Sequence, residues 1–177
     1  GEDYAYFTTQ QFGELFQLTL ETGAVEKIAQ LDLTLWGIAV APDQTVYVGG
    51  EGSTVFEIDP ESGEVTREFG QMAESEYYAY DLFATAESVF VGVGNTDNSG
   101  LYHVDRDSGE SRQLFPELFP DFTKKIDHNE RYVQCHGNHD RSLVIDRDAL
   151  ANGEESAAHV VEPLPGQFGL AESASSR

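Results

Sequence analysis

Cations are scarce in this sequence. Its 177 residues hold ten Lys plus Arg against 32 Asp plus Glu, a formal net charge of -22, and the lysines are Lys27, Lys124 and Lys125. That balance excludes a nucleic-acid footprint, which needs Lys and Arg gathered on one face to neutralise phosphates. Cysteine is nearly absent too. Cys135 stands alone, so no internal disulfide can form and a disulfide-stapled secreted scaffold is excluded. No apolar run approaches the roughly 18 residues of a spanning helix, no signal-peptide pattern is present, and no membrane partner is implied. Helical periodicity is missing as well, since no segment keeps a 3.6-residue apolar period over three turns.

What is present suits one ordinary domain core: 40% hydrophobic and 11% aromatic residues. The carboxylates are spread through every segment. This composition suits a protein kept soluble in concentrated salt, where a Debye length of about 3 Å at 1 M screens self-repulsion, or an acidic protein of ordinary salt. The chain runs from Gly1 straight into the strand-like Tyr4-Ala5-Tyr6-Phe7, which reads as a chain whose true N-terminus lies further upstream. A secreted or cell-surface location is therefore left open.

The main signal is a repeat. A strand ending in an acidic turn with glycine recurs as residues 13–31, 53–70, 99–116 and 141–161, with turn glycines Gly23, Gly63, Gly109 and Gly153 spaced 40 to 46 residues apart. That is the period of a four-stranded blade. Within the copies Phe16/Leu18, Phe56/Ile58, Tyr102/Val104 and Leu143/Ile145 share one face, while Gln17, Glu57 and His103 take the other. Phe16, Phe56, Tyr102 and Leu143 are accordingly expected to be largely buried between blades. Upstream of each copy lies a strand with an aromatic at the same period (Tyr47, Phe90, Tyr132), and before it a further strand, as in Trp36-Gly37-Ile38-Ala39-Val40, followed by a short turn. Each period thus supplies an inner strand A, then B, C and an outer D. The expected fold is all-β: a single partial β-propeller domain of about four four-stranded antiparallel blades in an open arc. The blades cover about residues 4–31, 32–70, 71–116 and 117–165, and 166–177 is a further blade's start or a frayed tail.

The phrases Leu35-Trp36-Gly37-Ile38-Ala39-Val40-Ala41-Pro42-Asp43, Thr45-Val46-Tyr47-Val48-Gly49-Gly50 and Phe56-Glu57-Ile58-Asp59-Pro60-Glu61-Ser62-Gly63-Glu64 resemble the YVTN/quinoprotein-like propeller superfamily. They are most similar to seven-bladed members that include polysaccharide lyases acting on uronic-acid glycans. The resemblance implies a propeller and, by analogy, glycan chemistry, though such motifs specify fold far more than function. The tryptophan motif of pyrroloquinoline-quinone blades is absent, so no cofactor is implied.

Propeller loops joining B to C and D to the next A share one rim, and loops on a rigid scaffold carry sites. Here that rim bears Glu51, Asn95, Asp97, His136 and His139, with the run Tyr77-Tyr78-Ala79-Tyr80 entering the third inner strand. His128, in an A–B turn, belongs to the opposite rim, and His103 reads as a solvated surface histidine. Cys135, His136, His139 and Asp140 are zinc-ligand types at weakly specific spacing, and a polar turn with a packed cysteine explains them equally; Asn95, Asp97 and Glu51 are ordinary turn formers before they are cation ligands. No metal is assigned. Two functions remain. One is a ligand-binding or interaction module, with Asn95, Asp97, Trp36, Tyr77 and Tyr80 as contact residues for a polysaccharide or protein partner, set among the remaining blades of the parent chain. The other is β-elimination from a uronate, with His136 or His139 and a tyrosine from Tyr77, Tyr78 or Tyr80, Tyr78 foremost, as the acid/base groups, and Arg141 as the nearest cation for the carboxylate.

Overall fold

The computed structural model describes residues 3–70, 72–73, 77–94, 99–114 and 116, and the strands 125–128, 132–136, 142–146 and 158–161. In those last four strands the side chains of Val144 and Asp146 alone are described, and Ser99 is described by its backbone. The described residues form strands and turns and no helix. The strands are β1 (Tyr4–Thr9), β2 (Glu14–Thr19), β3 (Val25–Gln30), β4 (Leu35–Val40), β5 (Val46–Gly50), β6 (Val55–Ile58), β7 (Val65–Phe69), β8 (Tyr78–Ala84), β9 (Ser88–Gly94), β10 (Ser99–Asp105), β11 (Ser111–Leu114), β12 (Lys125–His128), β13 (Tyr132–His136), β14 (Ser142–Asp146) and β15 (Ala158–Val161).

They make four antiparallel sheets, each of consecutive strands: β1-β2-β3, β4-β5-β6-β7, β8-β9-β10-β11 and β12-β13-β14-β15. Three sheets have the four strands expected, and the first has three. The acidic turns explain the outer hairpins. In the second sheet the Gly63 amide bonds to the Asp59 carbonyl at 2.8 Å while Asp59 Oδ1 accepts from the Glu61 amide at 3.0 Å. Gly23 and Gly109 close equivalent turns on Thr19 and Asp105, all three glycines with φ between 71° and 78°. Only glycine takes that conformation freely.

The chain divides into two compact units, residues 1–123 and 124–177. In the first, sheets stack face to face. Leu15, Leu31, Leu35, Val46, Val48 and Ile58 form the core between the first and second sheets; Tyr47, Val55, Phe69, Leu82, Val91 and Val104 form the core between the second and third. Because a middle strand is covered on both sides, every residue of β5 and six of seven in β9 are buried. One consequence corrects the simple alternation. Phe16, Phe56 and Tyr102 are half-buried, and their neighbours Leu15, Val55 and Leu101 are the residues sealed completely; the Leu143 side chain lies outside the described residues.

The second unit repeats the four-stranded meander. Its register sets His136 opposite Lys125 and His128 opposite Val133, at the two ends of the β12–β13 pair.

Candidate functional site

The inner-edge strands β4 and β8 each carry a bulge, between Leu35 and Gly37 and between Ala79 and Asp81. The bulged residues are Trp36 and Tyr80. A bulge adds one residue without a cross-strand partner and re-aims its side chain, which is why such irregularities accompany sites. Here both rings turn out from the inner edge. Trp36 packs edge-on against Tyr80 at 5.3 Å between centroids and against Tyr78 at 5.6 Å, and Tyr78 lies 5.7 Å from Tyr80. The strands approach closely because Gly37 has no side chain: a Cβ there would meet the Leu82 side chain and stand 2.7 Å from the Tyr80 carbonyl oxygen. Trp36 remains 39% exposed, so the triad offers solvent an aromatic surface rather than a buried core. Burial, and then the neighbouring Tyr78, hold the Tyr80 hydroxyl above its ordinary pKa, so it is a neutral donor at physiological pH.

A carboxylate borders the triad. Glu51 bridges to Tyr78 through the backbone, and its Oε2 accepts from the Thr34 amide at 3.3 Å. The adjoining turn is fixed by Ser53, a fully buried serine at φ 54° that follows Gly52 at φ 72°. Its hydroxyl accepts from the Ala73 amide at 2.9 Å, and its amide donates to the Tyr77 carbonyl at 2.9 Å. A serine held in the left-handed region costs on the order of 1 kcal/mol or more, which these bonds to the following D–A connection offset. The rim at the triad is therefore tied down.

Of the residues singled out in the sequence, Trp36, Tyr78 and Tyr80 come together. Tyr77 turns instead toward the core between the second and third sheets, where it packs half-buried. Asn95, Asp97, His139 and Arg141 lie outside the described residues, as does the His136 side chain. His103 is not a solvated surface group: half-buried, its Nε2 is 2.9 Å from the Ser88 hydroxyl and its ring stands edge-on to Phe90, and burial lowers its pKa. Among the described residues no three His, Cys, Asp or Glu converge as metal ligands.

Sequence reasoning missed Arg106. From the outer turn of the third sheet it reaches the second, donating through Nε to the Tyr47 hydroxyl at 2.6 Å and through Nη2 to Asp43 at 2.7 Å. Tyr47 in turn donates to Glu57 at 2.9 Å. Burial first, then the Glu57 hydrogen bond, push the Tyr47 pKa up to about 12. Burial raises the Asp43 pKa too, but bonds from Arg106 and Thr45 outweigh it and the pKa falls below the ordinary carboxylate value. This is a clamp between sheets. The available signal was the scarcity of cations, which makes each arginine in an acidic turn worth pairing.

No protein-family model matches the sequence, and no curated protein does. Solved structures do. The chain is similar to dihydro-heme d1 dehydrogenase NirN in complex with DHE (17% identity, 82% of this chain and 33% of that one, TM-score 0.60). It is similar also to the β-propeller domain of Cps50 (Swd1) from Myceliophteria thermophila (14%, 84% and 53%, 0.57) and to BamB from Moraxella catarrhalis (13%, 82% and 44%, 0.53). The fold is a β-propeller fold. The chain spans about a third to a half of the length of these structures, and at such identities the likeness speaks for fold alone.

Proposed function

We propose that this chain is a ligand-binding module of a larger propeller protein, directed to glycans, with the Trp36, Tyr78 and Tyr80 surface as its contact. The observation that carries the reading is an exposed indole braced by two tyrosines on the inner edge of adjacent sheets. A sugar ring presents an apolar face bordered by hydroxyls, and aromatic surfaces with polar tips take such ligands without a deep cavity. Glu51 and the Tyr80 hydroxyl supply the acceptor and donor at the border. The chain's charge of -22 favours neutral sugars over uronates, which need a local cation. The lyase reading gains no observation among the described residues.

Trp36 is the single tryptophan, so its fluorescence reports the site directly. Titration with neutral oligosaccharides should shift its emission saturably, oligouronates should do so more weakly, and Tyr80→Ala should weaken binding about tenfold, as loss of about 1.4 kcal/mol implies. Emission unmoved by either class at millimolar sugar would remove the glycan reading. A protein partner quenching Trp36 would then assign the same surface to protein recognition.

A further inference from the structure

A second surface, lined by residues other than the aromatic triad, lies between the first and second sheets. The groove there has a volume of about 840 Å³. It is lined by Tyr6, Leu20 and Ile28 and by the carboxylates Asp3, Glu26 and Glu61. None of the lining residues is a cation, and the adjacent Lys27 sits on the opposite face of β3, bonded to Glu14 at 3.3 Å. Leu20 is 56% exposed, an apolar side chain open to solvent within the groove.

The groove is built before any ligand arrives. Gly63 of the second sheet's turn packs directly on the Ile28 carbonyl, leaving no room for a Cβ, and Asp59 stiffens that turn by accepting from the Ser62 hydroxyl at 2.8 Å. Within the lining the Gln17 amide donates to the Tyr6 hydroxyl at 3.0 Å. A preformed wall lowers the ordering cost of binding, and a groove that sets Leu20 and Ile28 among carboxylates with no cation selects an oppositely charged amphipathic ligand. We propose that this groove docks a short basic segment of a partner protein, in which Lys or Arg flank an aliphatic or aromatic side chain. Leu20 and Ile28 take the apolar side chain, and Glu26 and Glu61 take the cations.

The test uses the full chain and the peptide acetyl-Lys-Leu-Lys-Phe-Lys-amide, followed by amide NMR. Shifts should centre on Glu26, Ile28 and Glu61 while Trp36 emission stays unchanged, which keeps this site distinct from the glycan surface. Binding should weaken several-fold between about 0.15 M and about 1 M salt as the Debye length shrinks from about 8 to about 3 Å. Glu26→Gln with Glu61→Gln should weaken it about tenfold without lowering the melting temperature, both side chains being exposed. Equal binding by the glutamate-for-lysine peptide, shifts centred on the triad, unaltered affinity in the double variant, or no shift at millimolar peptide would each overturn the proposal.

Discussion

Arg106 shows what one cation can do where few exist. Its Nη1 donates to the Thr85 carbonyl at 3.0 Å and the Ala86 carbonyl at 2.8 Å, so its fork ties three turns at once, and a lysine cannot reproduce that. Asp43 is more than half exposed, so the ion pair itself contributes little; the bonds to Tyr47 and the carbonyls contribute most. Arg106→Met should lower unfolding stability by about 2–4 kcal/mol, measured in urea, because the Tyr47 hydroxyl and the Thr85 and Ala86 carbonyls lose their donor. Tyr47 makes an alkaline signature. A pKa raised from 10.0 to about 12 contributes stability that is full below pH 10 and is lost as pH climbs through about 12. Tyr47→Phe should be less stable at neutral pH yet show a flatter fall over that window; an equally steep fall would assign the titration to other tyrosines. The sequence shows Tyr47 as a member of a repeating aromatic position, and Gln17 and Glu57 as its polar counterparts. It does not show Arg106, whose partner is 59 residues away and belongs to a different repeat.

The strand order and turn positions were legible because a glycine at positive φ and a period-2 pattern are local properties. Burial on both faces was not, since alternation in β6 and β10 predicts one wet side while the stacking of sheets covers both. The bulges escaped for a similar reason. Trp36 and Tyr80 could be placed on inner strands from sequence, but their meeting depends on an inserted residue in each and on the bare backbone of Gly37. Replacing Gly37 by Val should cost about 1–3 kcal/mol through overpacking against Leu82, and should red-shift Trp36 emission as the ring leaves Tyr80. Unchanged emission in a folded variant would mean the triad does not depend on that approach. Hydrogen exchange gives the complementary check on layering. Amides of β5 and β9, sealed on both faces, should exchange slowest in the first unit, and those of the outer strands β3 and β7, exposed over most of their length, fastest.

At the scale of the whole molecule, charge sets the conditions under which these interactions hold. Among the described residues Lys27 pairs with Glu14 and Arg106 with Asp43, and with 32 Asp plus Glu against ten Lys plus Arg the sequence holds far more carboxylates than cations to pair with them. A few are used locally. Asp59 is lowered by its bonds from Ser62 and the Glu61 amide, and Asp105 by those from Ser108, which makes these turns weaken as pH falls toward their lowered pKa values. The remainder repel, and repulsion acts in the opposite sense, disfavouring the compact charged state near neutrality. Salt separates the two effects, because turn bonds at about 3 Å lie inside any Debye length while repulsion across the surface does not. At low ionic strength, lowering pH from about 7 to about 5 should raise the melting temperature, since partial protonation relieves repulsion before the turn aspartates titrate. At about 1 M NaCl the same pH change should have little effect, and the melting temperature should already stand well above its low-salt value. Sucrose at equal osmolality should not reproduce the rise in full, which distinguishes screening from solute exclusion. A melting temperature flat in NaCl would mean that the acidity serves solubility or partner choice and contributes nothing to folding.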